Sequence, residues 1–168
     1  MTTSQSMTRT TQRGRLTDPP SPAIRAVEMP LISQALWAAV QSVQNPHPDV
    51  GVPAAFSASL VAEARHALPV IARACAPPSE QAVRLWLAPL AAAGLGNTPD
   101  GTAIGPYVAA LMMALEDVPG ASVRRATQAR ALRQFTGFWP SVGAVYQLLA
   151  EDAAPLVATR KALERIAA

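Results

Sequence analysis

Few side chains in this sequence are equipped for bond chemistry, and their spacing works against it. His47 and His66 lie nineteen residues apart in unrelated contexts. Glu63 precedes His66 by three positions, which places both on one helical face. That is half of a metal site at most, and an ordinary surface pair is the simpler account. Cys75 is the only cysteine, so neither an intrachain disulfide nor a cysteine-rich metal centre is available. Arg73 is the one basic neighbour that would lower its pKa, and a small core residue is the expectation for it. The acid pairs Glu116-Asp117 and Glu151-Asp152 are adjacent in sequence, so the members of each point apart. General acid–base work needs two carboxyls facing one reacting centre. No GxxxxGK(S/T), strand-led GxGxxG, HExxH or CxxC occurs. Gly94-Leu95-Gly96-Asn97 is too short to cradle a phosphate and follows no strand. The sequence therefore predicts no catalytic residue, no cofactor and no metal.

The contact candidates are basic and aromatic. Lys and Arg total 14 against 11 Asp and Glu, a net charge of +3, and with so small a sum position matters more than magnitude. Arg9, Arg13 and Arg15 fall in a polar N-terminal stretch, while Arg124, Arg125, Arg130 and Arg133 share one helical segment that contains no acid. Successive helical residues turn by about 100°, so these four fall near about 0°, 100°, 240° and 180°. They surround the helix instead of forming the single stripe that tracks phosphates. Glu116, Asp117, Glu151 and Asp152 on adjoining helices are available intramolecular partners; solvent, a protein and nucleic acid are the alternatives. Trp37, Trp86, Phe135, Phe138 and Trp139 are too few for a base-stacking platform. Trp86 has the helical spacing of a core residue. Phe138-Trp139-Pro140 lies in a junction, where the rings either pin the turn to the domain or leave an apolar edge for a partner. The candidate contact residues are thus Arg124, Arg125, Arg130, Arg133, Phe138 and Trp139.

The elements that must position these residues read as helices. Hydrophobic residues make up 50% of 168, but 35 are Ala, so the larger apolar side chains suffice for a modest helical core. Only 15% are charged, which excludes charge-driven disorder and a charge-laced coiled coil. Arg, Asp, Glu or Pro interrupts every long apolar stretch, which excludes a transmembrane helix. Residues 1–29 read as a flexible arm, rich in Thr and Ser and then in Pro. They lack the apolar core of a signal peptide, so a cytoplasmic location is expected. Apolar residues recur at helical spacing over 31–43. A second helix, capped by Ser57 or Ser59, is kinked or broken at Pro69, and a third starts at 79–81 and is kinked or broken at Pro89. Residues 94–101 form the clearest internal loop, with a division into two lobes near 94–103. Further helices are predicted over 104–118, over an Arg-bearing segment capped by Ser122 and running through Phe135, from a cap at Ser141, and over 153–168. The expectation is an all-α, compact bundle of about six or seven short helices with proline-rich turns, spanning 30–168.

Segment 82–149 carries a Val-Arg-Leu-Trp-Leu-Ala-Pro-Leu helix around Trp86, the run Tyr107 to Leu115, an Arg-bearing helix, and then Phe138-Trp139-Pro140-Ser141-Val142. In this it resembles the small helical phage and prophage proteins that load or inhibit the replicative helicase. Trp86 matches that family's helix tryptophan, and residues 138–142 match its aromatic–Pro element at the start of the last helix. Here the pattern sits late in the chain, and a short helix follows it in place of the family's helicase-binding tail. The resemblance implies a non-catalytic adaptor of mobile-element origin whose partner is a replication protein such as the replicative helicase. Two alternatives stand beside it: a small DNA-binding protein using the Arg-rich helix, and a structural or assembly component of a phage-like particle. Oligomeric state does not follow from the residues.

Overall fold

A computed structural model describes residues 32–49 and 51–168, and the arm proposed for 1–29 lies outside them. Six α-helices follow one another among the described residues: α1 (Gln34–Gln44), α2 (Ala58–Ala74), α3 (Glu80–Ala92), α4 (Ile104–Ala114), α5 (Arg125–Gln134) and α6 (Val142–Ala167), with a single 3₁₀ turn at Gly120–Ser122 before α5. The described residues form no strand, and the protein is an all-α bundle.

Serine starts four of the six helices. The hydroxyls of Ser33, Ser57, Ser79 and Ser141 accept from the backbone N–H three residues on, at 3.1, 3.4, 3.2 and 3.2 Å. Each satisfies one of the donors that a helix start leaves open and contributes about 1 kcal/mol. Ser33 is itself held, because its N–H and its hydroxyl both donate to the Glu63 carboxylate of α2, at 2.6 and 2.7 Å. This joins the first turn of α1 to α2. Glu63, read in the sequence as a partner of His66, thus serves Ser33 instead, and its carboxyl is held below the ordinary range by those two bonds.

The core is two clusters sharing one helix. Val83, Trp86, Leu87 and Leu90 of α3 meet Val108 and Leu111 of α4, Ala131 of α5 and Val145, Leu148 and Leu149 of α6. Leu36 and Val40 of α1 and Ala64, Ala67 and Ile71 of α2 meet Ala162, Leu163 and Ile166, further along the same α6. The changeover lies near Pro155, since Ala153 belongs to the first cluster and Leu156 packs on the second. The loop 94–103 does not separate the clusters: Leu95 and the helices on both sides of it belong to the first. A further link crosses between the two groups of helices where Gly120 N–H donates to the Ala76 carbonyl at 2.7 Å. A Cβ on Gly120 would lie 3.0 Å from that oxygen and 3.1 Å from Pro78 Cα, so the approach needs glycine.

Prolines interrupt less than the sequence suggests. Pro69, Pro89 and Pro155 lie inside α2, α3 and α6. The two helices expected after Ser141 are one helix of 26 residues. Each proline forfeits a backbone bond, but buried apolar residues at helical spacing continue on both sides and keep the axis going. At Pro89 the loss is repaired directly. The carbonyl of Leu85, four residues back, accepts from Gln128 Nε2 of α5 at 3.3 Å, and the same amide reaches the Trp86 carbonyl at 2.9 Å. Two boundaries also move. The helix expected over 104–118 ends at Ala114, and Ser122 does not cap α5 but lies in the 3₁₀ turn, its hydroxyl donating to the Pro119 carbonyl at 2.8 Å.

Candidate functional site

The Arg-rich segment forms α5, which rests on α3 through a hub at Thr127. This residue is 1% exposed. Its hydroxyl accepts from Trp86 Nε1 at 3.1 Å and from the Arg124 N–H at 3.2 Å, and it lies within donating distance of the Ser122 and Arg124 carbonyls. Trp86, also 1% exposed, therefore buries its ring without leaving its indole N–H unpaired.

This seating divides the four arginines. Arg124 forms a two-point contact with Asp152 of α6, Nε to Oδ2 at 3.2 Å and Nη2 to Oδ1 at 3.0 Å. Arg130 pairs with Glu151 one position earlier. These adjacent acids, pointing apart as their spacing requires, each take an arginine from the same helix and clamp α5 to α6. Arg125 and Arg133 face outward, exposed, and form no ion pair among the described residues. Leu132 between them is also partly open to solvent.

The junction aromatics divide as well. Trp139 turns inward, its ring meeting that of Tyr107 edge-on at a centroid separation of 5.5 Å. Tyr107 donates its hydroxyl to the Pro140 carbonyl at 3.0 Å, and burial pushes its pKa up to about 12. The Trp139 indole N–H is buried and has no hydrogen-bond partner among the described residues. Phe138 turns outward and is 70% exposed. The backbone on either side of it is fastened to the 94–101 loop: Gly96 N–H donates to Gly137 O at 2.9 Å, and Trp139 N–H donates to Gly96 O at 2.7 Å. A Cβ on Gly96 would lie 3.0 Å from the Phe138 ring and 3.2 Å from Gly137 O, so this loop too makes its approach as glycine. The short Gly94–Asn97 run thus supports an aromatic turn.

The structure does not bring the remaining chemistry-bearing residues together. Among the described residues no group of three or more His, Cys, Asp and Glu is placed to hold a metal ion. His47 is exposed, its ring Nδ1 accepting from the Asp49 N–H at 3.2 Å. Cys75 is a free thiol, half-buried, and burial pushes its pKa up, which lowers its thiolate content. No helix among the described residues is long and apolar enough to cross a membrane.

Sequence reasoning did not identify the outer face of α4, where Met113 is 79% exposed. The signal was present, since the whole of α4 carries no charged residue. No family model, no curated protein and no solved structure matches this chain.

Proposed function

We propose that this protein is a non-catalytic helical adaptor that binds a protein partner through Phe138 and the outer face of α5. The observation that carries this reading is the exposure of Phe138 on a backbone fastened on both sides through Gly96. An aromatic ring held outward in one geometry loses little conformational freedom on binding, which is the property of an interface anchor. Covering such a ring contributes about 1.5–3 kcal/mol, roughly ten- to a hundredfold in affinity. Arg125 and Arg133 add exposed charge on α5 that no acid pairs with among the described residues. The resemblance of segment 82–149 makes a replicative helicase the first partner to test.

The pairing of Arg124 and Arg130 weighs against the DNA-binding alternative. Arg125 and Arg133 alone neutralise about two phosphates, few for a helix that tracks a nucleic-acid backbone. The test is capture of purified replicative helicase by the tagged protein at low and at high salt, with a nuclease-treated control. Capture at both salts that survives nuclease and is lost in Phe138→Ser supports the adaptor. If nucleic acid alone is retained, only at low salt, and Arg125→Glu with Arg133→Glu releases it, the DNA-binding reading replaces it.

A further inference from the structure

The outer face of α4 is apolar, unpartnered and bracketed by acids. Val108 and Leu111 point into the first cluster, as do Leu115 just beyond the helix and, partly buried, Ile104. On the opposite side Pro106, Ala109, Ala110 and Met113 are exposed. These positions, spaced by three and four, form one continuous stripe. Surface helices ordinarily carry charge on that side, and here none is present from Ile104 to Ala114.

Charge returns only at the two ends, with a single sign. Asp100 stands before the helix, fixed where its Oδ1 accepts from the Thr102 and Ala103 N–H groups, both at 2.9 Å. The Thr102 hydroxyl, donating to the same Oδ1 at 2.7 Å, and then those two N–H groups hold its carboxyl below the ordinary range. Glu116 and Asp117 follow the helix, both exposed. Between Arg84 and Arg124 the chain has no Lys, Arg or His. Beyond the helix, Asp117 also borders a separate open groove of about 370 Å³ against α6, lined by Val118, Ala150, Ala154 and Lys161 and by none of the four stripe residues. No ion pair joins Lys161 to Asp117 among the described residues.

We infer that this face docks a basic amphipathic helix of a partner protein, with apolar side chains against Met113 and Ala110 and Lys or Arg at both ends. The end charges decide among possible occupants. A second copy packed antiparallel would set Asp100 against Glu116 and Asp117, like against like, and an anionic lipid surface would meet the same repulsion. A helix with cations at its two ends meets complementary charge at each. The inference stands on α4 and its flanks and does not depend on the reading of Phe138 and α5.

The test uses the full chain and a fluorescent helical peptide with a leucine stripe and lysines at both ends, followed by anisotropy. A counterpart with glutamates at its ends is the control. The expected result is binding of the lysine peptide at least about tenfold tighter than the glutamate peptide, weakening with added salt. Met113→Glu and Ala110→Glu, both at exposed positions, each lower affinity by more than about tenfold. Asp100→Asn with Glu116→Gln flattens the salt dependence, while Phe138→Ser changes nothing. Equal binding of the two peptides, binding of neither, or indifference to both α4 variants would overturn the inference. So would a dimer in sedimentation that Met113→Glu converts to monomer, or binding to anionic vesicles that the same variant abolishes.

Discussion

The Thr127 hydroxyl has no hydrogen-bonding capacity left over. It accepts from Trp86 Nε1 and the Arg124 N–H, and its single proton is directed at the carbonyls before it. Thr127→Val keeps the shape and removes all of this, leaving the buried indole N–H without a partner. The expected cost is about 1–3 kcal/mol in urea unfolding. Trp86→Phe on that background should cost less than it does alone, because the orphaned donor leaves with the indole. Glu63 gives a residue-scale pH dependence. Its folded pKa lies below the ordinary 4.5 because Ser33 donates to it twice. A depressed carboxylate stabilises the fold above its unfolded value, and that contribution is lost as pH falls through the folded value. The gap in urea midpoint between the natural protein and Glu63→Gln should therefore stay constant above pH 4.5 and close below it. A gap independent of pH would show that the charge of Glu63 contributes nothing.

Among the elements, α3 and α5 are coupled by a side chain that replaces a missing backbone donor. Pro89 cannot serve the Leu85 carbonyl, and Gln128 does. Gln128→Met should destabilise by about 0.5–1.5 kcal/mol, the net contribution of a hydrogen bond whose acceptor is open to water. Pro89→Ala restores a backbone N–H four residues after Leu85, so the two changes together should cost less than their sum. Strict additivity in that double-mutant cycle would show that the Gln128 bond does not compensate for the proline. The clamp between α5 and α6 is of a different kind. Both of its arginines are partly exposed, and only Asp152, at 19% exposure, is sheltered from solvent. Ion pairs in that position contribute little and are screened by salt. They set which arginines face outward more than they hold the bundle together.

At the scale of the whole molecule, α6 is common property. Its first half closes one cluster and its second half the other, with Pro155 between and no break in the helix. Neither group of helices keeps its core without it, so the two should unfold together. Leu163→Ala removes a fully buried side chain from the second cluster, at an expected cost of about 2–5 kcal/mol. With Trp37 and Trp139 replaced by Phe, Trp86 reports the first cluster by fluorescence, and amide exchange in α1 reports the second. Both should shift by the same amount in denaturant. A lower midpoint in α1 with Trp86 unmoved would show that the groups unfold independently.

Much of the bundle was legible because its signals are local. A serine before an apolar period marks a helix start through a bond to the third residue on: Ser57, Ser79 and Ser141 obey it, Ser122 does not, and the Ser33 cap went unread. The candidate surface was legible only as a set. Arg124 and Arg125 are neighbours of one type, as Phe138 and Trp139 are adjacent aromatics, and nothing within a turn of either pair says which member turns inward. The acid that decides it lies 28 residues away for Arg124, and the Tyr107 ring that receives Trp139 lies 32 residues from it. The continuity of α6 was hidden for the same reason, since Pro155 is a local breaker and the packing that overrides it comes from α1, α2 and α4. Sequence alone determined that the chain is helical and where α2, α3 and α6 begin, because capping and periodicity act over three or four residues. Which prolines are tolerated, which arginines remain free and which aromatic faces solvent were decided by tertiary structure, because each depends on a partner brought from far along the chain.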